Sequence, residues 1–222
     1  LCHVALGSDT GGSIRQPAAF TGTIGFKPSY GRISRHGLIA YASSFDQIGP
    51  LATNVSDAAK VMEVMAGPDE FDSTAIQTPI APATKLSPKK IAYLKTAVDH
   101  PKIDESVKKV FQAHLELLVN AGCEVEPLEF KLLDALVPVY YILTTAEASS
   151  NLARFDGVHS GFRAENVSDL ESVYKKSRSV GFGKEVQRRI MLGAFVLSAG
   201  YYDAYFGKAQ SVRRMVKDWT DK

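Results

Sequence analysis

The residues best suited to chemistry lie together near the start of the sequence, in the segment GSDTGGSIRQPAAF at residues 7–20. A short apolar stretch, CHVAL, leads into this segment, and two adjacent glycines precede Ser13. Adjacent glycines permit a sharp backbone turn and a close approach of other atoms. Three interpretations fit the pattern: a phosphate-binding turn, a serine nucleophile at a helix entrance, or a serine that caps a helix.

The phosphate-binding interpretation is the weakest of the three. A strand, a glycine-rich turn and a helix N-terminus can bind an anion through backbone N–H groups. In the Walker motif, however, a lysine precedes the serine or threonine, whereas Gly12 precedes Ser13 here. The spacing of Gly7, Gly11 and Gly12 also differs from that of the dinucleotide-binding fingerprint. The sequence therefore disfavours a phosphate site.

The other two interpretations concern the hydroxyl of Ser13. Glycines at 11 and 12 let the backbone turn sharply and aim its N–H groups at one point, where they could stabilise an oxyanion. A serine nucleophile needs a base, and none of the five histidines lies in a recognisable partner motif. Serine is also among the favoured N-cap residues, so a plain helix cap explains the same position. The residues alone leave both interpretations open.

Longer blocks of the sequence resemble the amidase signature family. The block GSDTGGSIRQPAAF, followed by GFKPSYGR, is similar to the core of that family, and the similarity continues through GLIAYASSFDQIGPLA, AEASSNLARFDGV, GFGKEVQRRIMLG and SAGYYDAYFGKAQSVR. The resemblance implies an α/β fold, an α/β/α sandwich around a mixed β-sheet, of which this chain would be an incomplete part. It also implies that Ser13 is the acyl-forming nucleophile and that the backbone of Thr10, Gly11 and Gly12 forms the oxyanion hole. The family's base, a lysine acting through a second serine, would lie upstream of residue 1.

The later blocks resemble the branch of this family that provides the glutaminase component of a tRNA-dependent amidotransferase. This resemblance implies that free glutamine is the substrate and that Arg189 binds its α-carboxylate, with Tyr140 as a pocket wall. A guanidinium suits a carboxylate because two N–H groups match two oxygens. A solvated basic helix face and core packing of Tyr140 are the alternative interpretations. Asp46 and Gln47 are expected at the substrate site, where they would support the residues around the nucleophile; the alternative is that they satisfy buried backbone groups.

The same resemblance implies several partners, and the composition of the chain bears on tRNA and membrane binding. The B and C subunits of the amidotransferase would be protein partners, Glu-tRNA(Gln) would be reached through the complex, and ATP and Mg²⁺ would be used by the complex, with no cofactor in this chain. A chain that binds tRNA directly should show a clustered basic stripe, so the near-neutral net charge of +2 agrees with tRNA binding elsewhere in the complex. Apolar stretches are too short to span a bilayer, and two distant cysteines suit a reducing cytoplasm. A stand-alone amidase on another small amide and a catalytically silent fragment are the alternatives.

The elements that must position these residues can also be predicted. Residues 2–6 predict a buried strand, and residues 13–20 can begin a helix if Pro17 falls in its first turn. KKIAYL and CEVEPLEF flank a helical pattern at 103–122, which predicts a β-α-β unit with parallel strands. A helix at 55–66, capped by Ser56, is also expected.

The rest of the chain is predicted to be mostly helical and to belong to one domain. The whole chain, 1–222, is expected to be part of a single amidase domain with a surface connection at about 67–89. Because the sequence begins in a strand pattern and ends inside a helical pattern, we expect an internal part of a longer protein. The further predicted helices are 138–153, 168–178, 182–199 and 201–220.

Overall fold

The computed structural model describes residues 2–78 and 89–221. Within them, helices and strands are mixed as expected for the α/β class. The strands are β1 (Val4–Asp9), β2 (Ile24–Gly25), β3 (Gln47–Ala52), β4 (Lys90–Leu94) and β5 (Glu124–Leu128). The helices are α1 (Arg15–Thr21), α2 (Val55–Met65), α3 (Lys95–Val98), α4 (Glu105–Asn120), α5 (Leu133–Asn151), α6 (Leu170–Gly181), α7 (Lys184–Leu197) and α8 (Lys208–Thr220).

The chain divides into two compact units. The first takes in residues 1–80 and 139–214, and the second takes in residues 81–138 and 215–222. Membership of all 222 residues in one domain stays a prediction. Part of the predicted surface connection, at 79–88, lies outside the described residues. Across the described residues, no helix is both long enough and apolar enough to cross a membrane.

The first unit contains a three-stranded antiparallel sheet with the order β1-β3-β2. Its register sets Asp9, the last residue of β1, opposite Gln47, the first residue of β3. The prediction of a buried β1 is wrong for most of the strand, because Val4 is 36% and Leu6 is 59% exposed. Among the described strands β1 pairs only with β3, so it is an edge strand with open apolar side chains. Only Asp9, at its end, is fully buried.

Close packing around Ile14 joins α1 to this sheet. Ile14 is completely buried, and a Cβ placed at Gly7, Gly25 or Gly49 would lie 3.1 Å from its side chain. The three glycines therefore provide the space that the isoleucine fills. Pro17 lies in the first turn of α1, as predicted, where its missing N–H costs no helical hydrogen bond. The sheet thus holds the start of α1 directly beneath the glycine-rich turn.

In the second unit, β4 and β5 form the predicted parallel pair. Helix α4 lies between them in the sequence and contacts β5. Its side chains Phe111, Leu115 and Leu118 are half-buried, whereas Val107 and Val110 on another face are more than half exposed. The helical spacing therefore predicted the element correctly, and only part of its apolar set is packed.

The cap of α2 and the starts of α5 and α8 differ from the prediction; α8 begins at Lys208 rather than at 201, after a π-helical segment at Tyr202–Gly207. Helix α2 is capped by Asn54, whose side-chain oxygen accepts a hydrogen bond from the N–H of Asp57 at 2.9 Å, so the assignment of Ser56 as the cap is wrong. Both residues are favoured caps, and the helix begins at the earlier one. Helix α5 begins at Leu133 and contains Pro138, at which the sequence placed the helix start. The proline removes one helical hydrogen bond without ending the helix.

Candidate active site

A buried carboxylate, that of Asp9, holds the glycine-rich turn in place. Its two oxygens accept hydrogen bonds from the N–H of Gly12 at 2.7 Å, the N–H of Ile14 at 3.2 Å and the Nε of Arg15 at 3.0 Å. Burial alone would raise the pKa of Asp9, but the hydrogen bonds from Arg15, Ile14 and Gly12 together hold this pKa below its ordinary value. The ionised carboxylate therefore fixes the path of the backbone on both sides of Ser13.

Ser13 lies in the turn before α1 with its side chain exposed. The N-cap of α1 is Ile14, which makes no side-chain capping hydrogen bond, so Ser13 is not a helix cap. Among the described residues, the Ser13 hydroxyl has no hydrogen-bond partner. The structure thus removes the capping interpretation and leaves a free hydroxyl at the surface of a rigid turn.

The backbone N–H groups near Ser13 differ in their availability. The Gly12 N–H, expected among the oxyanion donors, donates to Asp9 instead and is therefore already committed. Within the part of the chain that the structure describes, the N–H groups of Thr10, Gly11 and Ser13 have no hydrogen-bond acceptor. These three amides, next to the Ser13 hydroxyl, are the donors available for a developing negative charge.

Tyr140 of α5 lies against the same turn. A Cβ at Gly11 would be only 2.6 Å from Cε2 of Tyr140, so the glycine is required by the close approach of this ring. The ring also makes edge contacts with Phe45 and Tyr141, at centroid distances of 6.3 and 5.4 Å. Burial raises the pKa of the Tyr140 hydroxyl, which is therefore neutral near pH 7. Tyr140 thus lies beside the turn, in a position from which its ring could form a pocket wall.

Asp46 supports the turn from the other side. This buried carboxylate accepts the hydroxyl of Thr10 at 2.6 Å and the backbone N–H groups of Tyr41 and Ala42 at 2.8 and 2.9 Å. Gln47 follows it at the start of β3, and its buried Oε1 has no partner among the described residues. Asp46 therefore contacts the turn directly, whereas no hydrogen bond joins the Gln47 side chain to it.

Arg189 of α7 is held by contacts on several sides. Its Nη1 donates to the hydroxyl of Tyr41 at 2.9 Å and its Nε donates to Glu185 at 2.9 Å. Its guanidinium carbon lies 5.5 Å from the ring centroids of both Tyr41 and Tyr141. Arg188 points elsewhere: it pairs with Glu185 and remains 75% exposed. Of the two adjacent arginines, only Arg189 joins the aromatic cluster.

Arg189 and the glycine-rich turn share Tyr140 as a neighbour. Burial is the main cause of the raised Tyr140 pKa, and Tyr41 adds to it, while the nearby Arg189 charge acts in the opposite direction. The centroid of the Tyr140 ring lies 5.4 Å from that of Tyr141, and the guanidinium carbon of Arg189 lies 5.5 Å from the Tyr141 centroid. Tyr140 therefore contacts the turn at Gly11 and lies close to the cation of Arg189.

One face of α5 contributes residues that the sequence did not suggest. Thr144, Glu147 and Asn151 follow Tyr140 at helical spacing and reach the 41–46 loop, which is the segment between the glycine-rich region and β3. Glu147 accepts the N–H of Ser44 at 2.9 Å and also the Ser44 hydroxyl. Polar residues at this spacing inside an otherwise apolar helix were the available signal.

Two further features bear on the chemistry of this site: the lysine nearest to Ser13 in sequence and the search for metal-ligating side chains. Lys27, the lysine nearest to Ser13 in sequence, is half-buried, and burial followed by repulsion from Arg15 lowers its pKa. In residues 2–78 and 89–221, no group of three or more histidine, cysteine, aspartate or glutamate side chains could hold a metal ion. The groups described above at this site are a serine, backbone amides, two buried carboxylates, tyrosines and an arginine.

This arrangement suits acyl transfer, and comparison with known proteins agrees: the chain belongs to the amidase family, whose model matches residues 1–222. Among individual relatives, the A subunit of glutamyl-tRNA(Gln) amidotransferase from Chlorobium luteolum (strain DSM 273) is 55% identical, over 98% of this chain and 46% of the relative. The protein of the same name from Helicobacter pylori (strain P12) is 51% identical, over 100% of this chain and 49% of the relative. The chain thus spans about half the length of the curated relatives it matches.

Solved structures are similar as well. The crystal structure of the A subunit of glutamyl-tRNA(Gln) amidotransferase from Thermotoga maritima matches with a TM-score of 0.71 and 40% identity, over 97% of this chain and 43% of that protein. The peptide amidase from Stenotrophomonas maltophilia matches with a TM-score of 0.65 and 25% identity, over 96% of this chain and 44% of that protein. Both comparisons support the α/β fold of the family.

Proposed function

We propose that this chain is the serine-bearing part of a glutamine-hydrolysing amidase, the A subunit of a glutamyl-tRNA(Gln) amidotransferase. The observation that carries the proposal is the free, exposed hydroxyl of Ser13 on a turn that Asp9 holds, next to three uncommitted backbone amides. Sequence identity of 55% and 51% to curated proteins of that name supports the choice of substrate and complex.

In the proposed reaction, Ser13 Oγ attacks the side-chain amide carbon of glutamine. The oxygen of the tetrahedral intermediate becomes negative and accepts hydrogen bonds from the N–H groups of Thr10, Gly11 and Ser13. The serine proton passes through a base to the leaving nitrogen, and ammonia departs from the acyl enzyme. Water then attacks the ester carbon, which releases glutamate and returns the proton to Ser13. As the family resemblance implies, we assign the base to a lysine and a second serine outside this chain.

Glutamine recognition is assigned to Arg189 and Tyr140. The guanidinium would bind the α-carboxylate through paired N–H groups, and the tyrosine ring would form the wall between that anchor and the turn. Arg189 is suited to the task because its side chain is 27% exposed and already oriented by two hydrogen bonds. A prepositioned cation loses little conformational freedom when the substrate binds.

In the proposed complex, other subunits carry out the steps that use ATP and tRNA. Ammonia from the Ser13 site would be used by a B subunit that activates Glu-tRNA(Gln) with ATP and Mg²⁺, and a C subunit would join the two. The complex would be a ligase that acts in protein biosynthesis in the cytoplasm. A net charge of only +2 in this chain agrees with tRNA binding elsewhere in the assembly.

The proposal is tested by Ser13→Ala in the full-length protein, which we expect to abolish ammonia release from glutamine. Ser8→Ala, a change at an exposed serine in β1, is the matched control and should retain activity. Retained turnover in Ser13→Ala would refute the nucleophile assignment.

Adding the B and C subunits with ATP and Glu-tRNA(Gln) should increase glutamine turnover, and the absence of any increase would favour a stand-alone amidase.

A further inference from the structure

We propose that Tyr41 is a positioning residue whose hydroxyl and ring hold the Arg189 guanidinium in the orientation that receives a substrate carboxylate. The inference rests on the proposed function, in which Arg189 binds the α-carboxylate of glutamine. Tyr41 does not belong to the glycine-rich motif and is separated from Arg189 by 148 positions in the sequence.

The hydrogen atoms around Tyr41 can be assigned from the available donors and acceptors. Arg189 has no acceptor, so its Nη1 donates to the Tyr41 oxygen at 2.9 Å. The hydroxyl of the fully buried Thr144 donates to the carbonyl of Tyr140 at 2.8 Å. The remaining contact, 3.4 Å between the Tyr41 and Thr144 hydroxyls, therefore has Tyr41 as its donor. Donation across this long contact leaves the lone pairs of the Tyr41 oxygen available to the guanidinium.

The contacts of Arg189 leave one side of its guanidinium open. Nε is committed to Glu185 and Nη1 to Tyr41, while Nη2 has no partner within the described part of the chain. The rings of Tyr41 and Tyr141 lie within cation–π distance of the guanidinium carbon. The cation is therefore held by its neighbours, and Nη2 together with the second N–H of Nη1 remains free to bind the two oxygens of a carboxylate.

Tyr41 also connects this anchor to the turn that carries Ser13. Its backbone N–H donates to Asp46 at 2.8 Å, and the same carboxylate accepts the Thr10 hydroxyl at 2.6 Å. Its carbonyl accepts the side-chain amide of Asn151 at 3.2 Å. A short loop therefore holds the carboxylate anchor at one end and the glycine-rich turn at the other, which would fix the separation between the two ends of the substrate.

The experiment measures L-glutamine binding by calorimetry in the full-length protein that carries Ser13→Ala, so that the ligand is not consumed. Tyr41→Phe keeps the ring and removes only the hydroxyl. We expect it to raise the Kd roughly three- to tenfold, the effect of losing one hydrogen bond. Tyr93→Phe, in the second unit, is the matched control and should leave the Kd unchanged, because the Tyr93 ring packs on Phe111 within that unit.

A double-mutant cycle tests whether Tyr41 acts through Arg189. In an Arg189→Lys background, Tyr41→Phe should cause little further weakening, because the guanidinium that it orients is already absent. Equal weakening in both backgrounds would overturn the inference, as would a Tyr41→Phe protein that binds like the Tyr93→Phe control.

Should Tyr41→Phe fail to fold, Thr144→Val is the second variant. It removes the acceptor of the Tyr41 hydroxyl and should also raise the Kd for glutamine; an unchanged Kd would overturn the inference. A failure of the Ser13→Ala protein to bind any glutamine would instead refute the proposed function.

Discussion

At the scale of single residues, one carboxylate determines the shape of the candidate site. Asp9 is fully buried, and its oxygens satisfy amides on both sides of Ser13 as well as the guanidinium of Arg15. A buried ion with this many donors is costly to alter, because a replacement leaves donors without an acceptor. The Ser13 hydroxyl itself makes no such contact within the described residues, so its role depends on the rigidity of the turn around it.

Asp9→Asn should therefore destabilise the protein by about 3 kcal/mol and should also reduce glutamine hydrolysis. The asparagine retains one acceptor oxygen, but its NH₂ group faces donors that it cannot satisfy. Chemical denaturation measures the loss in the free energy of unfolding. Asp134→Asn, at an exposed position, is the control and should change stability by less than about 0.5 kcal/mol. An equal effect of the two substitutions would contradict the account.

Gly11→Ala tests the close approach of Tyr140 to the turn. The new methyl group would lie 2.6 Å from the ring, so we expect a loss of about 1–3 kcal/mol in stability and a marked loss of activity. At Gly207, an added Cβ would meet no atom closer than 3.7 Å, so Gly207→Ala is the control and should not reduce stability. In a Tyr140→Ser background, Gly11→Ala should cost less stability than it does in the presence of the Tyr140 ring. The absence of any coupling between the two would show that the ring does not lie against Gly11.

At the scale of elements, the 41–46 loop and one face of α5 support the site together. The loop bonds to the glycine-rich turn through Asp46, to α5 through Ser44, and to α7 through Tyr41. Its polar groups, the Tyr41 hydroxyl, Ser44 and Asp46, provide the donors and acceptors that a loop between packed elements needs. The site is therefore assembled from four regions of the sequence: the glycine-rich turn, the 41–46 loop, α5 and α7.

Helix α2 offers a test of how its start is defined. Asn54→Ala removes the oxygen that accepts the N–H of Asp57, and we expect a loss of about 1 kcal/mol in the free energy of unfolding. Ser56→Ala lies two residues further along, and there we expect a change within about 0.5 kcal/mol. Thermal or urea denaturation of the pair decides between the two caps. A larger effect at Ser56 would mean that the helix starts later.

Local patterns account for much of the fold but for less of the site. The parallel β4–β5 pair and the helix between them followed from periodicity, and the position of Ser13 followed from the motif. Tyr41 and Thr144 lie 103 positions apart in the sequence, and a contact over such a distance leaves no local signal. The sequence placed the start of α5 at Pro138 because proline disfavours a helix interior, whereas the helix begins at Leu133 and continues through the proline.

At the scale of the whole molecule, carboxylates with lowered pKa values make the free energy of unfolding depend on pH in the acid range. A hydrogen bond from the Thr74 hydroxyl is the main cause that lowers the pKa of Asp72 from 3.8 to about 2, and Arg35 contributes through its N–H and its charge. A lowered pKa in the folded state adds stability that is complete above about pH 4 and is lost as the pH falls toward 2. Asp9, with its own lowered pKa, acts in the same direction.

Asp72→Asn should therefore reduce stability at pH 7 by about 1 kcal/mol and make the decline between pH 4 and 2 shallower. Thr74→Val, which removes the hydroxyl donor and keeps the carboxylate, should produce part of the same change. The measurement is the free energy of unfolding from denaturant titrations at several pH values. An unchanged slope between pH 4 and 2 in Asp72→Asn would show that this carboxylate does not contribute.

The central claim is that Ser13 forms a covalent bond to a glutamine-derived acyl group. The most direct test treats the full-length protein with an electrophilic glutamine analogue and locates the adduct by peptide mass spectrometry. We predict an adduct on the peptide that contains Ser13, and none in Ser13→Ala. Inactivation by the analogue with the adduct on a different residue would contradict the account.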